Sequence, residues 1–124
     1  MDTLELISRL ARLPGPSGFE DAVALAIRAE LDALEGEWES DAIGNLVLRL
    51  PAPADAPVLL LTAHMDEVGL LVKHVAGDGM LSCTGIGSID ERTLPGARIE
   101  IWTDDGPVLG IVKGAVLLAF FWLR

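Results

Sequence analysis

Basic residues are scarce in this chain. Nine lysines and arginines stand against 19 acidic residues, leaving a net charge of -10. That balance argues against a nucleic-acid phosphate backbone or an anionic membrane surface as partner. Cysteine is scarcer still: Cys83 stands alone, so no internal disulfide framework can form, and the composition suits a reducing, cytoplasmic setting. The opening M-D-T-L-E lacks the basic and then apolar stretches of a secretory signal. The longest uninterrupted apolar run, residues 115–123, falls short of the ~20 residues that cross a bilayer. No internal repeat is present. What the chain does hold is apolar substance: 51% of 124 residues are hydrophobic, enough for the core of one ordinary domain and too few residues for two complete ones.

Residues 2–13 carry Leu4, Ile7, Leu10 and Ala11 at helical spacing, with Asp2 and Glu5 placed for a capping box. Pro14-Gly15-Pro16 ends that helix. Ser17-Gly18-Phe19-Glu20 has the S-x-x-E pattern of a second capping box, opening a helix to about Leu34 with Val23, Ile27, Leu31 and Leu34 as its buried stripe. Gly36 is placed to close it in a left-handed cap. Residues 37–41 and 45–50 read as a hairpin, and the proline-rich residues 51–57 as a surface connection. Residues 58–67, V-L-L-L-T-A-H-M-D-E, read as a central strand buried on both faces. Beyond it, strand candidates at 68–75, 80–84, 97–103 and 107–112 are separated by glycine-bearing turns with no helix between them.

These patterns predict an α/β class: two helices, a hairpin and a buried central strand in residues 1–67, then an antiparallel β-rich part in residues 68–124. The apolar tail, residues 115–123, has no alternation, and as an exposed edge it would be sticky.

The polar end of the apolar run concentrates the candidate chemistry. In open α/β sheets ligands gather at strand carboxyl ends, and in an extended segment His64 and Asp66 point to the same side. Such a pair is half of a metal site, or a structural hydrogen bond; spacing alone does not decide, because two groups cannot fill the four positions zinc takes. Other residues carry plainer readings. Glu20 is a cap, and Asp90, Glu91, Asp104 and Asp105 are turn residues. His74 is a boundary or surface histidine on the face of Leu70 and Val72, and Cys83 is a small buried residue. Trp38, Trp102 and Trp122 are packing residues without the grouping of a sugar platform.

Four segments in order, P-S-G-F-E (16–20), D-A-I-G-N-L (41–46), A-H-M-D-E-V-G (63–69) and L-P-G (94–96), resemble the dinuclear-metal aminopeptidases related to glutamyl aminopeptidase, tetrahedral assemblies of which some are labelled endoglucanase. The resemblance covers nearly the whole chain to about Gly110. It implies that His64 ligates one of two divalent metals, zinc or cobalt, and that Asp66 orients His64. It further implies peptide substrates, removal of amino-terminal residues, homo-oligomers, and a β domain inserted after the H-x-D strand. The family's other ligands and its glutamate base belong to sequence downstream of that β domain. The resemblance thus implies an amino-terminal portion of the enzyme, truncated or frameshifted and inactive alone. The alternatives are a non-catalytic interaction or assembly module, or another H-x-D metallohydrolase of deacylase or carboxypeptidase type; a membrane-associated tail is a further reading, against which its length and lack of flanking basic residues count.

Overall fold

The computed structural model describes residues 2–114 and 118–121. The chain forms two compact units, Met1–Glu67 and Val68–Arg124. The first contains helices α1 (Thr3–Leu10) and α2 (Asp21–Leu31) and an antiparallel hairpin of β1 (Glu37–Ser40) and β2 (Leu46–Arg49). Arg9 at the last turn of α1 donates to Glu30 of α2, an ion pair between the helices. Val23 on α2 is the unit's buried aliphatic side chain among the described residues.

Both helices are shorter than their apolar spacing predicts, and neither begins with a side-chain cap. Gly18 explains the second case. Its φ of +89° lies in the left-handed region, so a helix cannot run through it, and α2 starts at Asp21. The S-x-x-E segment is therefore a turn, closed by the Phe19 N–H donating to the Pro16 carbonyl at 2.8 Å. Glu20 accepts from the Gly18 N–H at 3.0 Å rather than capping the helix. Gly36 differs too. It is absent from the left-handed glycines, and a Cβ there would lie 2.7 Å from Leu48 Cδ1 and 2.8 Å from the Arg49 carbonyl oxygen. Close backbone approach to β2, not a helix cap, is what requires glycine at this position.

The hairpin forms as its pattern predicts. Gly44 takes φ +90°, and the Asp41 carboxylate accepts from the Ile43 N–H, the Asn45 N–H and Asn45 Nδ2. This Asx-type arrangement supplies inside the turn the bonds a ladder cannot.

The run before the H-x-D pair corrects an expectation. Residues 58–61 form no strand, and Val58, Leu59, Leu60 and Leu61 are 95, 82, 76 and 83% exposed. A central strand needs a neighbour on each side. Among the described residues of this unit the ladder bonds are those of β1–β2 and a parallel bridge of Pro16 to Glu67, and neither reaches residues 58–61. An apolar run encodes burial only where partner strands are supplied.

The second unit is a five-stranded antiparallel sheet, β3 (Gly69–Val75), β4 (Met80–Ile86), β5 (Arg98–Thr103), β6 (Gly106–Val112) and β7 (Leu118–Phe121), in the order β3-β4-β7-β6-β5. Gly79 and Gly106 turn the two hairpins at φ +83° and +110°. Leu81 and Ile101 are the buried centre, with Cys83 and Ile99 packed against them.

β7 takes part of the apolar tail into the sheet. Its backbone pairs with β4 on one side and β6 on the other, so residues 118–121 stand mid-sheet. The remainder of the tail, residues 115–117 and 122–124 with Trp122, lies outside the described residues. His74 is exposed, as expected of a surface histidine, but a bulge between Val72 and His74 shifts the register. Val72 pairs with Cys83 and His74 with Ser82, adjacent residues on opposite faces of β4, so His74 does not share the face of Val72. Trp102 is 56% exposed and Trp38 half-buried under the Arg28 guanidinium, 5.6 Å from ring centre. Of the described helices, none is long and apolar enough to cross a membrane.

Candidate metal centre

The H-x-D segment is held at its far end by the loop that follows α1. The Glu67 N–H donates to the Gly15 carbonyl at 2.8 Å, and the Gly15 N–H donates back to Glu67 Oε1 at 3.1 Å. Gly15 is buried, and a Cβ there would stand 2.8 Å from Val23 Cγ2 and 3.4 Å from the Met65 carbonyl oxygen. Only a residue without a side chain lets residues 15–17 lie this close to residues 65–67.

That juxtaposition delivers Ser17 to Asp66. The Ser17 hydroxyl donates to Asp66 Oδ2 at 2.6 Å, while Asp66 Oδ1 lies 3.2 Å from His64 Nδ1. His64 Nδ1 is also 2.9 Å from the Asp66 main-chain carbonyl oxygen. A carbonyl oxygen accepts and never donates, so this contact assigns the imidazole proton to Nδ1. In the neutral imidazole Nε2 then carries the lone pair, on a side chain 85% exposed. The Asp66 carboxyl is held below the usual carboxylate range chiefly by the Ser17 hydrogen bond, opposed by burial and supplemented by smaller contributions from His64.

A cavity of about 150 Å³ opens beside the pair, lined by Glu20, Ile43, Asn45, Ala63, His64 and Asp66 among others. It thus joins the turn at Glu20 and the hairpin turn to the H-x-D segment. A larger cavity of about 340 Å³, between α2 and the hairpin at Asp21, Leu25, Arg28 and Leu46, contains neither residue of the pair. We place the candidate chemistry at the smaller one, because His64 and Asp66 both line it.

Of the sequence candidates, then, the structure brings His64 and Asp66 together and adds Ser17 and Glu20 to their surroundings. Asp90 is elsewhere, accepting from the Arg92 N–H at 3.1 Å and from its guanidinium, as a turn residue should. Among the described residues no group of three or more His, Cys, Asp and Glu side chains converges to hold a metal ion. Ser17 was hidden behind its S-x-x-E pattern. The signal against a cap is the glycine immediately after it.

Comparison with known proteins shows the family to which the chain belongs. The family model described as M42 glutamyl aminopeptidase matches residues 44–117. A lysyl aminopeptidase of Pyrococcus furiosus is 34% identical over 87% of this chain and 31% of its own length. A glutamyl aminopeptidase of Lactococcus lactis is 27% identical over 94% of this chain and 33% of its own. Among solved structures, the TET1 peptidase of Pyrococcus horikoshii, which can assemble into a tetrahedron or a large octahedral shell, superposes with a TM-score of 0.80 at 31% identity, over 91% of this chain and 33% of that one. The chain spans about a third of the length of the curated relatives it matches.

Proposed function

Because the chain belongs to the M42 glutamyl aminopeptidase family, we propose that it supplies the H-x-D portion of a two-metal aminopeptidase that removes amino-terminal residues from peptides. The observation that carries this reading is His64: its Nδ1 is engaged by Asp66, and its exposed side chain lines the cavity, inside the segment that the family model matches.

The residues of this chain fit one ligand of such a site and not the whole of it. His64 Nε2 is the donor, and Asp66 is the positioning group that holds an imidazole proton at Nδ1, so that the neutral ring offers its lone pair at Nε2. Bound divalent ions, zinc or cobalt by family resemblance, supply Lewis-acid polarisation of a peptide carbonyl and acidify water. The cavity beside His64 gives the peptide amino end a place to approach, walled by Ile43 and Ala63. One nitrogen does not hold a metal pair, so the 124-residue chain by itself is proposed to be inactive toward peptides. The complete enzyme is proposed to be a cytoplasmic homo-oligomer.

The test is a chimera in which this chain replaces the matching third of the P. furiosus lysyl aminopeptidase. Hydrolysis of amino-acid p-nitroanilides that His64→Ala abolishes is expected; an active chimera indifferent to His64→Ala refutes the assignment. The chain alone, with zinc or cobalt added, is expected to show no turnover.

A second reading is favoured by the exposed aliphatics of residues 58–61: an assembly module without catalysis. Size-exclusion chromatography with light scattering discriminates it, since a monodisperse monomer removes its motive.

A further inference from the structure

We infer that Ser17 is a positioning residue for the metal-ligating imidazole, acting through Asp66. The inference rests on the reading of His64 as a ligand. His64 is 85% exposed, so packing does not hold its ring; Asp66 alone does, through its carbonyl and its carboxylate. A carboxylate on an exposed aspartate can rotate, and rotation takes Oδ1 away from Nδ1. The Ser17 hydroxyl prevents this by occupying Oδ2 at 2.6 Å.

Ser17 is itself not free to drift. The backbone two residues earlier is fixed to Glu67 by the reciprocal Gly15 bonds, and the Pro16–Glu67 bridge aligns the two segments in parallel. The bond in that bridge runs from the Glu67 N–H to the Gly15 carbonyl, while the Pro16 carbonyl accepts from the Phe19 N–H and the fixed φ of proline stiffens the approach. The result is a relay in which each member constrains the next: Gly15 fixes the loop, Ser17 fixes the carboxylate, and the carboxylate, together with the Asp66 main-chain carbonyl, holds the ring with its N–H at Nδ1. The role needs a hydroxyl at position 17 and a small residue at 15. It does not need the helix cap that the local pattern suggests.

The test is the long-range proton–nitrogen correlation spectrum of His64 in the metal-free 124-residue chain at about pH 8.5, where free imidazoles are neutral. The parent is expected to show protonated Nδ1 and unprotonated Nε2. In Ser17→Ala that signature should dissolve into tautomer-averaged shifts, in Ser17→Thr it should return, and His74 should be unmoved in both. A Ser17→Ala spectrum superimposable on the parent overturns the inference. Zinc affinity should fall about 10-fold in Ser17→Ala, the usual consequence of losing an outer partner of a ligand histidine. Zinc addition to the parent separates the two claims: if His64 resonances do not respond, the ligand reading fails, whereas a response with unchanged Ser17→Ala tautomers sinks only the role of Ser17. Should Ser17→Ala lose its dispersed amide spectrum, the parent decides. A Ser17 hydroxyl proton in slow exchange supports the bond, and fast exchange overturns it.

Discussion

Gly15→Ala tests the geometry on which the candidate site depends. The added Cβ would sit 2.8 Å from Val23 Cγ2, inside the distance real Cβ contacts keep. Val23 is buried in α2, and a valine in a helix has one strongly preferred χ1 rotamer, so it cannot swing aside. The Met65 carbonyl at 3.4 Å closes the opposite escape, being backbone. Relief must come from moving residues 15–17 outward, which lengthens the Glu67 N–H to Gly15 carbonyl bond, 2.8 Å in the parent. Overpacking of this kind costs about 1–3 kcal/mol. Alanine recovers some of that, about 0.4–1 kcal/mol, by restricting the unfolded chain. A net loss of about 1–2 kcal/mol is expected, hence amide exchange at Glu67 roughly 5–30-fold faster. The double variant with Val23→Ala should recover part of the loss, a coupling of about 0.5 kcal/mol or more. Unchanged exchange at Glu67, or a cycle showing no coupling, refutes the claim that close approach dictates this glycine.

Three further outcomes follow from the packing and charges. Asn45 and backbone amides hold the Asp41 carboxyl below the usual range; a depressed folded pKa means that its contribution is present above the unfolded value, about 3.9, and lost as pH falls through the folded one. Exchange at the Ile43 and Asn45 amides, corrected for intrinsic rates, should therefore accelerate only below about pH 4, and Asn45→Ala should move that onset upward. Burial pushes the Cys83 thiol up, so at about pH 8 its alkylation should be slower than that of the urea-unfolded chain; equal rates would contradict its placement against Leu81 and Ile101. Leu81→Ala removes the most buried side chain among the described residues of the β sheet, 1% exposed, and should cost about 2–5 kcal/mol in urea unfolding.

Features with local causes were legible in the sequence, and features with distant causes were not. Gly79, Gly106 and the strands they join could be read because a hairpin's determinants lie within a few residues of its turn. The hairpin at Asp41 to Asn45 is of the same kind. His64 and Asp66 could be paired because two residues of extended backbone bring side chains to one side. Ser17 could not, since its acceptor is 49 residues away and a local capping pattern offered a competing explanation. Residues 58–61 and 118–121 are both apolar runs without alternation, yet one is exposed and the other lies mid-sheet. Both segments, V-L-L-L and L-A-F-F, are wholly apolar, and the availability of neighbours decided.

The place of β7 sets the order in which the sheet can be made. At about 5–20 residues per second of synthesis, β3–β4 and β5–β6 emerge and can zip first, each within microseconds. Neither hairpin bonds to the other, because the strand between them comes last in sequence. Until residues 118–121 arrive, the nascent chain carries two marginal ribbons whose inner edges, β4 and β6, are open to the strands of other chains. β7 is thus a closing clasp, and the two ribbons become one sheet only when it has paired on both sides.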